Sequence, residues 1–302
     1  MYIAECSALT AALCWSFGGL LSTTPARAFG ALRFNRIRLG IVALILIFIT
    51  FVTGSWRTLD LHSVLVLALS AMIGIFLGDT LLYAALKRLG PRRSGILFTT
   101  NAPITVIVGY FFLKESLPMA TTIGCCLIMV GVLLAVFCGT TSSQKHAFEK
   151  VQGSLALGIG LGFLSALCQA ISVLIARPVM ASGVNAVAAS ALRVGIAALA
   201  LNVIFLLHRR LRDPAAAPLT WKLMWQTGMS GIVGMALGMT FLLFALAHGP
   251  AGLVSTLSAT SPILILPILW IATRERPAPG AWVGAFLAVL GVAFIFSPWT
   301  VN

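Results

Sequence analysis

The sequence predicts an all-α polytopic membrane protein, on the scarcity of charge and the block length of the apolar residues. Of 302 residues, 60% are hydrophobic and only 9% are charged, against about 25% charged in a soluble domain. A soluble core of this size would need a charged shell that the chain cannot supply. The apolar residues fall in blocks of roughly 20, the length an α-helix needs to cross about 30 Å of hydrocarbon. A third observation, an internal repeat, sharpens the prediction to ten transmembrane helices built as two inverted five-helix repeats.

The ten blocks run over 3–24, 34–53, 62–86, 94–113, 118–138, 153–175, 186–207, 222–246, 251–271 and 279–298. The breaks between them, such as "GSWRTLD", "KRLGPRR", "KESLP", "HRRLRDPAAAP", "AHGPAG" and "TRERPAPG", carry glycine, proline and charge. The first block lacks a basic n-region and runs on into further helices, so it is not expected to be a cleaved signal peptide. The longest loops, near 139–152 and 208–221, are too short to fold alone, and no soluble domain is expected.

The repeat pairs residues in order. "RLGIVAL" (38–44) matches "RVGIAAL" (193–199), "ALCW" (12–15) matches "ALCQ" (166–169), and "GDTLLYAAL" (78–86) matches "GMTFLLFAL" (238–246). Further on, Pro103 answers Pro262, Glu115 answers Glu275, and "VGV" (130–132) answers "LGV" (290–292). The expected halves are residues 1–145 and 146–302. Five crossings per half force the second copy to enter from the opposite face, so the halves should be inverted.

Charge tests this independently, because inverted copies put equivalent loops on opposite sides. "KRLGPRR" is basic, whereas its counterpart "AHGPAG" has no Lys or Arg. Sixteen of the 20 Lys and Arg fall in or beside the loops joining blocks 1–2, 3–4, 5–6, 7–8 and 9–10. The other side holds Arg57, Lys114 and Arg177, and Arg193 lies inside a block. The positive-inside tendency makes the richer side cytoplasmic and puts both termini outside. A net charge of +13 gathered there calls for anionic lipid and no nucleic acid.

In these residues the chain resembles the EamA-type ten-helix carriers of the drug/metabolite transporter superfamily, over essentially its full length. The resemblance rests on "AALCW", Arg38 and Arg193, "GDTLLYAALKRLGPRRS", the "P…LKESL" and "P…ATRERP" ends of the fourth and ninth blocks, and "GVLL" with "GVAF". It implies a secondary carrier, not driven by ATP, for a small organic metabolite or drug. It also implies a cavity lined by helices 1, 3 and 4 and by their partners 6, 8 and 9. Members of the family are usually drawn with both termini in the cytoplasm, whereas the Lys/Arg count here argues the reverse.

Pro103 and Pro262 remove a backbone hydrogen bond at matching depth, so they are expected to act as two opposed hinges, or else as fixed kinks for packing. Thr99, Thr100 and Asn101, and in the other copy Ser258, Thr260 and Ser261, either satisfy the freed carbonyls or meet a substrate. Asp79 lies within the third block opposite Met239 of the repeat. It is expected to bind a cationic group or exchange a proton, or else to pair with Arg38. One acid in a cavity favours an amine-bearing solute. Trp15 and Gln169 occupy equivalent positions and suit a small amphiphilic metabolite, and Thr240 is placed with them on the pathway. Glu5 reads as interfacial, and Arg38 and Arg193 as structural charges clamping loops or headgroups. Glu115 and Glu275, beside Lys114 and Arg274/Arg276, read as caps or salt-bridge partners, with a gate as the alternative.

Other chemistry has no support in the sequence. The six cysteines show no zinc-like spacing, the histidines form no cluster, and no metal or cofactor is expected. No phosphate-binding loop occurs. Ser230 and His248, a serine–histidine pair on one helix, would stand about 25 Å apart, so an enzyme is not expected. The glycines at 158, 160 and 162, and the pairs Gly234/Gly238 and Gly280/Gly284, suit close helix approach, within a monomer or across a homodimer. The expected function is export by alternating access in the plasma (inner) membrane of a bacterium. The alternative is a non-transporting protein, scramblase-like or regulatory, on the same bundle.

Overall fold

The computed structural model describes residues 2–115, 117–138, 154–207, 218–264, 267 and 278–295. These residues are helical, with short connections and no strand among them. Six apolar helices of at least 18 residues are long enough to cross a membrane: Ile3–Ser22, Leu32–Thr53, Leu61–Leu86, Leu155–Ala181, Ala186–Leu207 and Trp221–His248. Four shorter apolar helices, Leu97–Leu113, Met119–Leu134, Ala251–Leu264 and Pro279–Ile295, fall where the fourth, fifth, ninth and tenth crossings are expected. The chain is a multi-pass α-helical membrane protein.

In the first half, α1 (Ile3–Phe29) and α2 (Ala31–Thr53) are joined through Gly30 alone, at φ 74°. Its positive φ lets the chain reverse between two helices without a longer loop. α3 (Leu61–Ala71) is N-capped by Asp60, whose Oδ1 accepts the Ser63 N–H at 3.2 Å. It runs into a π-helical segment, Met72–Gly78, and then α4 (Asp79–Thr99). The expected loop "KRLGPRR" is instead helical backbone inside α4. The chain nevertheless folds back within it, because its contacts on the helix Leu155–Ala181 descend from Ser172 at Gly74 through Cys168 at Gly78 to Gly158 at Leu89, then climb again to Gly162 at Leu97 and Leu174 at Gly109. α5 (Asn101–Leu113) and α6 (Met119–Cys138) complete this half.

The second half follows the same order. α7 (Leu155–Ala181) and α8 (Ala186–Leu207) precede α9 (Trp221–Ser230), N-capped by Thr220, whose Oγ1 accepts the Leu223 N–H at 3.4 Å. A second π-helical segment, Gly231–Leu237, leads into α10 (Gly238–His248). α11 (Ala251–Ser258) and α12 (Pro279–Ile295) close the described chain.

Small residues let these helices meet backbone to backbone. A Cβ added to Gly18 of α1 would stand 2.5 Å from Gly234 Cα. Between α6 and α12, a Cβ on Gly124 would stand 2.7 Å from Gly291 O, and one on Gly131 would stand 2.5 Å from Gly284 O. Contact residues therefore run in opposite directions along the two helices. Gly158, Gly162, Gly234, Gly238 and Gly284 all serve contacts inside this one chain, whereas Gly160 has open space around it. The outward faces carry exposed Leu44, Phe48, Phe51, Phe111, Phe112 and Phe286, as lipid contact requires.

Candidate functional site

Helix interruptions define the site. The two π-helical segments sit at matching places in the halves, and each widens a helix by leaving main-chain groups out of the usual ladder. The Gly78 carbonyl at the end of the first segment is taken up by Ser165 Oγ of α7 at 2.8 Å. Two further breaks match as well: α4 stops at Thr99 before α5, and α11 stops before a turn at Ala259–Thr260. Pro103 and Pro262 lie in the first turn after these breaks, where a missing N–H costs nothing because it would have no helical partner.

The hydroxyls beside the breaks are spent on carbonyls. Thr100 Oγ1 donates to Leu97 O at 2.6 Å and Thr260 Oγ1 to Leu257 O at 2.7 Å. Asn101 Nδ2 donates to Phe98 O at 2.7 Å, and Ser261 Oγ to Ser258 O at 3.0 Å. Ser16 of α1 reaches across to Ser261 O at 2.9 Å, tying the second break to its neighbour. Thr100 and Thr260 thus answer the backbone, and neither lines the main cavity. Thr240 is likewise engaged elsewhere, with Ser190 Oγ at 3.1 Å.

Between the breaks and the π-helical segments lies a cavity of about 350 Å³, within the size range of small-molecule sites. Trp15, Asp79, Asn101, Gln169, Ser261 and Pro262, six of the sequence-derived candidates, all line it. Pro103 borders a separate small pocket with Thr99 and Thr100. Arg38 also lines the main cavity, with Nη2 donating to Asn35 Oδ1 at 2.9 Å. Its expected role at a loop or headgroup is corrected, because α2 begins seven residues earlier and carries it to the cavity wall. Arg193 is corrected too. It is fully buried, donating to Ser172 Oγ at 2.8 Å and Met239 Sδ at 3.3 Å, and so reaches no headgroup. Asp79 makes no ion pair with either arginine, since Glu115–Arg177 is the one salt bridge within 4.0 Å among the described residues.

That salt bridge sits away from the cavity. Glu115 Oε1 accepts from Arg177 Nε at 3.1 Å, and Oε2 accepts the Ala251 N–H at 2.7 Å. One carboxylate thereby ties the end of α5, the end of α7 and the start of α11 together. The sequence marked Glu115 but not its partner. The signal was available, since Arg177 is among the few basic residues on the poorer side. Glu275, with Arg274 and Arg276, lies outside the described residues. Glu5 in the first turn of α1 has a buried Oε2 with no partner among the described residues and does not line the cavity.

Two stretches, residues 2–137 and 156–297, match the model of the EamA-like transporter family. The chain belongs to that family. An uncharacterized transporter of Archaeoglobus fulgidus is 22% identical to it over 291 residues, covering 96% of each chain. A solved crystal structure of another protein shares the fold at a TM-score of 0.79, with 18% identity, covering 97% of this chain and 96% of that one. This EamA-family protein is a membrane transporter.

Proposed function

We propose that this EamA-family protein is a secondary carrier that exports a small organic solute by alternating access about the cavity described above. The observation that carries the reading is the coincidence of cavity and helix interruptions. All four interruptions border it, and broken helices at a midplane site are what inverted-repeat carriers use to bind and to move. The contacts of α6 and α12 support inverted halves. With Gly131 equivalent to Gly291 and Gly124 to Gly284, the pairs Gly124·Gly291 and Gly131·Gly284 exchange partners as a two-fold axis requires.

The lining residues also suggest a state. Gly18, Arg38, Asp79, Leu82 and Phe98 lie in the helix halves nearer the Lys/Arg-rich loops, whereas Val173, Met239 and Leu242 carry the cavity past mid-helix toward the ends that the Glu115 clamp ties. With the richer side cytoplasmic, this is a conformation facing the cytoplasm, closed toward the outside by Glu115, in the plasma membrane of a bacterium with both termini outside. Pro103 and Pro262 then mark the joints at which helix ends swing.

The test is metabolite profiling of the growth medium of cells making the wild-type chain or an equal membrane level of Gly18→Leu, which wedges α1 off the second π-helical segment. Accumulation of a defined metabolite group with the wild type alone is expected. Identical media for both strains and for cells lacking the protein would sink export by this chain.

A further inference from the structure

The charges around the cavity do not balance. Among the lining residues only Arg38 and Asp79 are ionisable, and Arg193 lies directly behind, through its bond to the lining Met239. The local sum is therefore two cations against one carboxylate.

No other described group makes up the difference. Arg193 spends its identified bonds on a hydroxyl and a thioether, both neutral. Arg38 spends Nη2 on a neutral amide, stands over the Phe34 ring at 5.4 Å, and has a buried Nε without a partner among the described residues. Glu115 is consumed by Arg177 and the Ala251 N–H. Glu5, ten residues before Trp15 on α1, lies about 15 Å along the helix at about 1.5 Å per residue.

An uncompensated cation is costly away from water, where attraction to a counter-charge is strong. We infer that the cavity binds a small organic monoanion, a carboxylate on an apolar body, with its head toward Arg38 and its body against Trp15, Phe98 and Leu242. Arithmetic favours this class: one negative charge brings the sum to zero, an amine raises it to two, and a doubly charged phosphate overshoots. Geometry favours a carboxylate, because guanidinium presents a planar fork of donors that matches it. The amine suggested by Asp79 alone counts one of three charges.

The site is a binding claim, and it rests on the carrier reading only where transport is concerned. The purified chain in nanodiscs of uncharged phosphatidylcholine is titrated with 3-phenylpropionate, 3-phenylpropylamine and 3-phenylpropanol, following thermal unfolding. The carboxylate is expected to bind about tenfold more tightly than the amine or the alcohol, a gap of about 1.4 kcal/mol. Arg38→Gln should remove the preference, Arg38→Lys should keep its sign, and Asp79→Asn should hold or strengthen it. Equal or better binding of the amine, no binding by any probe, or a preference that survives Arg38→Gln would each overturn the inference. Flux of the same probes into liposomes separates the two claims. Carboxylate binding without flux keeps the anion site and sinks the carrier, whereas amine flux without carboxylate binding does the opposite.

Discussion

Arg38 in the first half and Arg193 in the second come from matching stretches, "RLGIVAL" and "RVGIAAL", yet their surroundings differ. Arg38 stands on the cavity wall, part-exposed, with one amide partner and a ring beneath it. Arg193 is sealed in, with Ser172 and Met239 as neutral partners. The residue facing across each site differs as well, since Asp79 in one half corresponds to Met239 in the other. Repetition of sequence sets where a side chain leaves its helix, and the neighbours decide whether it meets solute or supports the wall.

The sharpest way to break that contrast is to remove each arginine in turn. Arg193→Leu discards a buried charge-assisted hydrogen bond to Ser172 and empties part of the volume of a large, fully buried side chain, so it is expected to cost about 3 kcal/mol. Thermal unfolding in detergent should show it, with Arg38→Leu much milder. Equal losses would mean that both arginines are structural. Next in size is the glycine contact: Gly18→Leu forces side-chain atoms against the Gly234 backbone and should cost about 1–3 kcal/mol, whereas the same change at Gly160, which has open space around it, should be near neutral.

Smaller in energy is the Glu115 clamp. Glu115→Gln keeps an acceptor for Ala251 but gives up the ion pair with Arg177, worth about 1 kcal/mol or less at this partial exposure. Expected is a shift toward the outward-open form, read as faster labelling by an impermeant thiol reagent of a cysteine at Val106, which packs on Gly252, in a cysteine-free background. Unchanged labelling would show that the clamp does not hold the closed end.

The smallest effect separates the two caps. Hydrogen bonds from Ser63 hold the Asp60 carboxyl below its ordinary range, whereas Thr220, its counterpart, does not titrate. A depressed carboxyl adds stability above its unfolded pKa and loses it as pH falls through the folded value. Asp60→Asn should therefore flatten a slight acid-side fall in unfolding temperature, and Thr220→Ala should leave that pH profile unaltered.

Much of this was legible in the sequence. Block length and the paired Gly-Pro, Pro and Glu positions located the crossings, because hydropathy and repetition act along the chain. Trp15, Asp79, Asn101 and Gln169, singled out by the repeat and by polarity within apolar blocks, line the cavity. The π-helical segments were not legible: "MIGIFLG" and "GIVGMAL" read as ordinary apolar helix, and only a neighbour such as Ser165, supplying a hydroxyl from far along the chain, makes the bulge tolerable. Thr100 and Thr260 were read as pathway groups because a threonine near a proline serves solute or backbone equally well until its rotamer is seen. The helical course through "KRLGPRR" was missed for a related reason: glycine, proline and charge signal a reversal of direction, and here the reversal occurs within helical backbone.

The backbone-on-backbone seams at Gly18·Gly234 and between α6 and α12 also bear on how this protein can vary. Glycine has no smaller replacement, so every single mutation at Gly18, Gly124, Gly131 or Gly291 adds atoms where 2.5 to 2.7 Å is available. Genetic drift there runs in one direction only, toward crowding. The lipid-facing Phe286 and Val289 of α12 can be exchanged among apolar types with no partner to consult. Tolerance to mutation should therefore alternate along this one helix with the period of its turns, and a saturation library of α12 would display that alternation without any knowledge of the solute.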